Sequence, residues 1–157
     1  MAYALQPLLR IRVMREDRAS GELTAARQAV AVAEAALEDR KRELVDYERT
    51  KEERRDRIYA TIIGRAVSRD SLDLAQDGVA RIDDEGILKA DNVKRAEVVL
   101  NEKMSLADTA RRNLNIATKN RMKIEEHRAV WIAADIAEQE HRAEGELEDF
   151  MVRKPEI

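Results

Sequence analysis

The residues best suited to hold a metal or move a proton are few here, and badly spaced for it. His127 and His141 are the only histidines among 157 residues, and neither sits in a His-Glu-x-x-His or similar ligand spacing. Solvated histidines on a helix surface are the simpler reading, and no metal is expected. Cysteine is absent, which removes disulfides, thiolate zinc sites and thiol nucleophiles. The five glycines are isolated and none precedes a Lys-Ser or Lys-Thr pair, so no loop cradles a phosphate and no nucleotide or other cofactor is expected. Acidic residues number 32, yet a carboxylate pair becomes a general acid and base only in a concave, water-poor pocket that shifts its pKa values. The chain is not expected to be an enzyme.

One basic cluster asks for a partner: Arg111, Arg112, Lys119, Arg121, Lys123 and Arg128. Phosphate binding is one reading. Pairing with Glu34, Glu38, Asp39 and Glu43 across a helix seam is the simpler one. A net charge of -3 and only five aromatic residues argue against nucleic acid, which needs a positive field and stacking groups. The start of the chain lacks the basic-then-apolar order of a signal peptide, and no apolar run reaches the roughly 18 residues that span a bilayer. A cytoplasmic protein with no direct membrane insertion is expected.

The elements that must position these residues are helices. Ala, Glu, Leu, Lys and Arg make up a little over half of the chain, the composition of long helices. Alanine favours helix but buries little area, so a thick core is not available. Proline occurs only at Pro7 and Pro155, leaving the intervening chain without its strongest helix breaker. Gly64, Gly78 and Gly86 punctuate the middle, where periodicity weakens. This pattern predicts helix one over about 8–66, a connector over about 67–86 and helix two over about 87–151. The connector has room for a short helix from Ser71 to Ala80, with Ser71 as its cap.

Leu23, Val30, Leu37 and Leu44 recur every seven residues, with Ala19, Ala26, Ala33 and Tyr47 interleaved, which is a coiled-coil stripe. Helix two repeats Val93, Leu100, Ala107 and Leu114. It then changes phase to Ala117, Ile124 and Trp131, alongside Ala129, Ile136, Ala143 and Phe150, a shift that relaxes supercoiling. The expected fold is therefore all-α: a long antiparallel two-helix coiled-coil hairpin, with residues 1–157 as a single elongated domain. At about 1.5 Å rise per residue, each helix extends roughly 90 Å. Placing the turn near Asp77 sets Arg12, Arg15 and Arg18 beside His141, Glu138 and Asp135, and puts Trp131 near Glu22 and Leu23.

The run MAYALQPLLRIRVMREDRASGEL at the start and the run EEHRAVWIAADIAEQEHRAEGELEDF near the end resemble those of the YscO family of type III secretion proteins. That family is also called SctO, includes the chlamydial CdsO, and is related to the flagellar protein FliJ. The resemblance is carried by Leu-Leu-Arg-Ile-Arg followed by Arg-Glu-Asp-Arg-Ala, and by His-Arg-x-x-Trp before an acidic helix end. It implies a central stalk similar in shape to the rotary ATPase gamma subunit, which associates with the hexameric type III secretion ATPase at the cytoplasmic base of the apparatus. The implied role is to stimulate or organise that ATPase and to link it to the export gate protein and secretion chaperones. By the same resemblance, the candidate contact residues are Leu8, Leu9, Arg10, Ile11, Arg12, Arg15, Arg18, Trp131, Glu138, Glu144 and Phe150. The heptads alone equally suit a structural or adaptor coiled coil of another cytoplasmic assembly.

Overall fold

The computed structural model describes residues 2–153. It contains two helices among them, α1 (Gln6–Ala60) and α2 (Arg69–Val152), and no strand. Pro7 stands in the first turn of α1, where its missing N–H would have had no helical partner anyway. The end of α1 tightens: Thr61 N donates to Ile58 O at 3.1 Å and Ile62 N to Tyr59 O at 3.0 Å. Gly64 then takes a φ of 72°, the left-handed conformation that glycine enters at least cost and that ends helices. Ser68 starts α2 by accepting the Ser71 N–H on its side-chain oxygen at 3.2 Å, which satisfies one of the unpaired donors of the first turn. Asp70 lies in that turn, where a negative charge favours the helix dipole.

The connector is therefore residues 61–68, and the expectation of a connector over 67–86 is corrected. Ser68, not Ser71, is the cap, and residues 69–86 belong to one uninterrupted α2. The two glycines that suggested a break are packing positions. A Cβ on Gly86 would lie 2.9 Å from Tyr47 Cε1, and one on Gly78 would lie 3.0 Å from Ile58 Cδ1. Glycine at those points lets the facing side chain approach the helix backbone, and helix continues through both.

Contacts divide the described chain into two units, one of residues 24–108 and one of residues 2–23 with 109–153. In the first, the helices run antiparallel, with Tyr47 against Gly86 and Ile58 against Gly78. Its most buried apolar side chains are Ala33, Leu37, Tyr47, Ala75 and Ile82. Tyr47 is 4% exposed and donates its hydroxyl to Ile82 O, while the Arg54 guanidinium lies 5.6 Å from its ring centroid. Arg54 also meets Glu85 at 2.7 Å, and Lys51 meets Asp83 at 3.7 Å. The acids assigned by sequence to a connector thus serve as the interhelical partners of α1. The Arg54 hydrogen bond holds the Glu85 carboxyl below the ordinary glutamate range.

The second unit is antiparallel as well, with Tyr3 beside Trp131 and Glu16 beside Arg121. It buries Tyr3, Leu9, Ala19, Leu23 and Ala110. Among the described residues, no side chain in either unit is completely enclosed. That is the expected outcome when two helices share one seam and have no third layer to cover it. The heptads Leu23, Leu37, Ala19, Ala33 and Tyr47 are all buried.

Candidate functional site

The expected contact residues all fall in the unit of residues 2–23 and 109–153, so its geometry decides what they offer a partner. Tyr3 precedes α1 and folds onto α2. Its hydroxyl shares a 2.8 Å hydrogen bond with His127 Nδ1, and its ring lies 5.5 Å from Trp131 and 5.8 Å from His127, centroid to centroid. Tilted aromatic pairs at such distances attract through their quadrupoles. His127 lies on the exposed helix surface as expected from sequence, and is in addition tied to Tyr3. Further along, Glu16 accepts hydrogen bonds from Thr118 Oγ1 at 2.8 Å and from Arg121. The Arg121 bond first, then that of Thr118, holds the Glu16 carboxyl below the ordinary glutamate range. Arg121 also grips Glu125.

This register differs from the expected one. Trp131 lies against Tyr3, not Glu22 and Leu23. The pairing of Arg12, Arg15 and Arg18 with His141, Glu138 and Asp135 does not form. Arg12 and Arg15 instead line an open depression with Asn113, Ile116, Ala117 and Asn120. Among the described residues, Arg12 Nε is enclosed without a hydrogen-bond partner. Arg18 pairs with Glu22 at 3.0 Å, and Glu138 pairs with Arg142 within α2. In this unit Tyr3 meets Trp131 and Glu16 meets Arg121, positions earlier in α2 than a turn at Asp77 would allow. Seam pairing of the basic cluster with Glu38, Asp39 and Glu43 fails for the same reason. Those acids pair within α1 with Lys41, Arg42 and Arg40, respectively.

Of the expected contact residues, Leu9 is 6% exposed and belongs to the seam. Leu8, Arg12 and Trp131 are half-buried, and Arg10, Ile11, Arg15, Arg18, Glu138, Glu144 and Phe150 are exposed. The structure brings Arg12 and Arg15 together and leaves Glu138, Glu144 and Phe150 apart from them. Toward the end of α2, every residue from 136 to 153 is exposed. The stripe Ala129, Ile136, Ala143 and Phe150, expected in the seam, is exposed with it. Sequence reasoning missed Tyr3, Glu16 and Thr118. Tyr3 lies outside the heptads, and the Glu16–Arg121 pair is visible only once the register is known.

No helix among the described residues is long and apolar enough to cross a membrane. The geometry is that of a two-helix frame with charged side chains on its surface, and solved structures share that fold. The type III secretion protein YscO of Vibrio parahaemolyticus shares the fold with a TM-score of 0.87 and 23% identity, over 93% of this chain and 92% of that one. A protein of Chlamydia trachomatis described as a YscO homolog shares it with a TM-score of 0.75 and 17% identity, over 96% of this chain and 92% of that one. At these identities the two structures speak for the fold alone. No curated protein matches the sequence. The profile of the family described as Type III secretion protein YscO matches residues 5–153, nearly the whole chain, so the protein belongs to the YscO family of type III secretion proteins.

Proposed function

We propose that this chain is a central stalk and adaptor of its secretion system: it binds the hexameric secretion ATPase in the cytoplasm, at the base of the apparatus. There it stimulates or organises that enzyme and links it to the export gate protein and secretion chaperones. The observation that carries the reading is the family match over residues 5–153. The two-helix frame supports it, because a narrow seam leaves most side chains outward and available to surrounding subunits. The contact surface is the unit of residues 2–23 and 109–153, through Leu8, Arg10, Ile11, Arg12, Arg15 and Arg18 on α1 and Trp131, Glu138, Glu144 and Phe150 on α2. Leu9 supports them from the seam. The chain itself performs no chemistry in this role.

The test is to mix the purified chain with its cognate ATPase and measure ATP turnover and the oligomer distribution together. A complex with a raised turnover rate or more hexamer is the expected result. Neither a complex nor any change in turnover or assembly removes the reading.

A further inference from the structure

The depression beside Arg12 has the make-up of an oxyanion site. Arg12 and Arg15 stand one turn apart on α1, and Asn113, Ile116, Ala117 and Asn120 follow one face of α2, so each set projects in one direction. Ala117 contributes only a methyl group, and the cavity that remains, about 190 Å³, far exceeds the roughly 10–15 Å³ that a single water needs. No carboxylate lines it. Glu16, one turn along α1 from Arg12, spends both oxygens elsewhere: Thr118 Oγ1 donates to Oε1 at 2.8 Å, and Arg121 Nε donates to Oε2. Among the described residues, the Arg12 Nε–H is enclosed without an acceptor. Such a donor costs free energy until an acceptor reaches it, and two guanidiniums one turn apart repel. One bound dianion removes both costs.

The donor set specifies the ligand. Two guanidinium forks match the charge of a phosphate dianion and grip its oxygens in pairs. The Asn113 and Asn120 amides add N–H donors, and their carbonyl oxygens accept the hydroxyl of monohydrogen phosphate. No aromatic side chain lines the depression, so a nucleobase has nothing to stack on there. Arg112, Lys119 and Lys123 lie four residues before, three after and seven after Ile116, on the same face of α2. They add positive field at the rim, which raises the local concentration of anions.

We infer that Arg12, Arg15, Asn113 and Asn120 form a binding site for a small phosphate dianion, either free phosphate or the terminal phosphoryl group of a small molecule. The site lies within one unit of one chain and needs no second protein, so it goes beyond the stalk reading and does not rest on it. Bound there, the anion ties α1 to α2 and stabilises the folded chain in proportion to its occupancy.

The experiment titrates the isolated full chain with inorganic phosphate and, separately, with ADP, at an ionic strength held constant with sodium chloride. Calorimetry reads the affinity, and the Arg12 Nε–H resonance in nitrogen-15 NMR reads the place. Saturable binding is expected, with a moving Arg12 resonance and a rise in the unfolding temperature that chloride does not reproduce. Phosphate binding at least as tightly as ADP assigns the free anion, and tighter binding of ADP assigns a carried phosphoryl group. Arg15→Gln changes an exposed position and should leave circular dichroism unaltered. It is expected to weaken binding at least about tenfold, as for the loss of a charge-assisted hydrogen bond. Arg95→Gln removes the same charge from an exposed position of the other unit and should bind like the wild type. No saturable binding of either anion overturns the site. Binding left intact by Arg15→Gln, weakened as much by Arg95→Gln, or saturating while the Arg12 resonance stays still overturns its assignment to this depression.

Discussion

Tyr47 shows how much one side chain does in a fold with a single seam. Its ring lies on the bare backbone at Gly86, its hydroxyl reaches Ile82 O, and Arg54 covers it from outside. Gly86→Ala forces this pinned ring to move and should cost about 1–3 kcal/mol, as overpacking does, measured by urea unfolding. Tyr47→Phe keeps the ring and loses the hydroxyl bond, for about 0.5–1.5 kcal/mol in the same assay. Tyr47 was legible in the sequence as a heptad position. Its partner was not, because a glycine in a helix looks like a break until the facing residue is known. A second prediction concerns acid. Glu16 and Glu85 are held below the ordinary glutamate range by Arg121 and Arg54. Each therefore contributes stability that is present above the free glutamate value of about 4.3 and is lost as pH falls through the lower folded-state value. In Glu16→Gln and Glu85→Gln, thermal unfolding midpoints should fall less between neutral and acid pH than in the wild type. An unchanged acid dependence would mean that these pairs do not form in solution.

At the scale of the elements, the connector decides the register of everything else. Ser68 and Gly64 define it: Ser68→Ala should cost about 1 kcal/mol through the lost cap. Gly64→Ala should cost roughly 1 kcal/mol or more because its φ is positive. Both are read from chemical unfolding curves, and near-wild-type midpoints in both would mean that the turn lies elsewhere. The existence of two long helices followed from composition and the missing proline. The boundary did not, since residues 69–86 carry charges that suit a loop equally well until Asp83 and Glu85 are seen against Lys51 and Arg54. The final stretch of α2 failed in the opposite sense. Its heptad pattern is genuine, but Ile136, Ala143 and Phe150 are exposed, because the pattern reports an apolar face and does not name what covers it.

At the scale of the whole molecule, the two kinds of charge should separate in a salt titration. The ion pairs of the fold are mostly solvent-exposed, including Arg18–Glu22, Arg40–Glu43 and Arg95–Asp91, and such pairs add little to stability. Raising salt from about 0.05 to about 0.5 M, well past the range where screening sets in, should leave thermal unfolding nearly unchanged while loosening the complex with the ATPase. Equal sensitivity of both would contradict that separation. By itself the amino-acid order determined an all-helical chain, an antiparallel hairpin with a heptad seam, and membership of a secretion family whose end motifs it carries. These are local and periodic properties, written in propensity and spacing. Only the tertiary structure decided the register, the Tyr3–His127–Trp131 cluster, the parting of Arg12 and Arg15 from the acidic end of α2, and the exposed stripe. Those depend on which residue of one helix meets which residue of the other, and a turn moved by a few residues changes every such meeting at once.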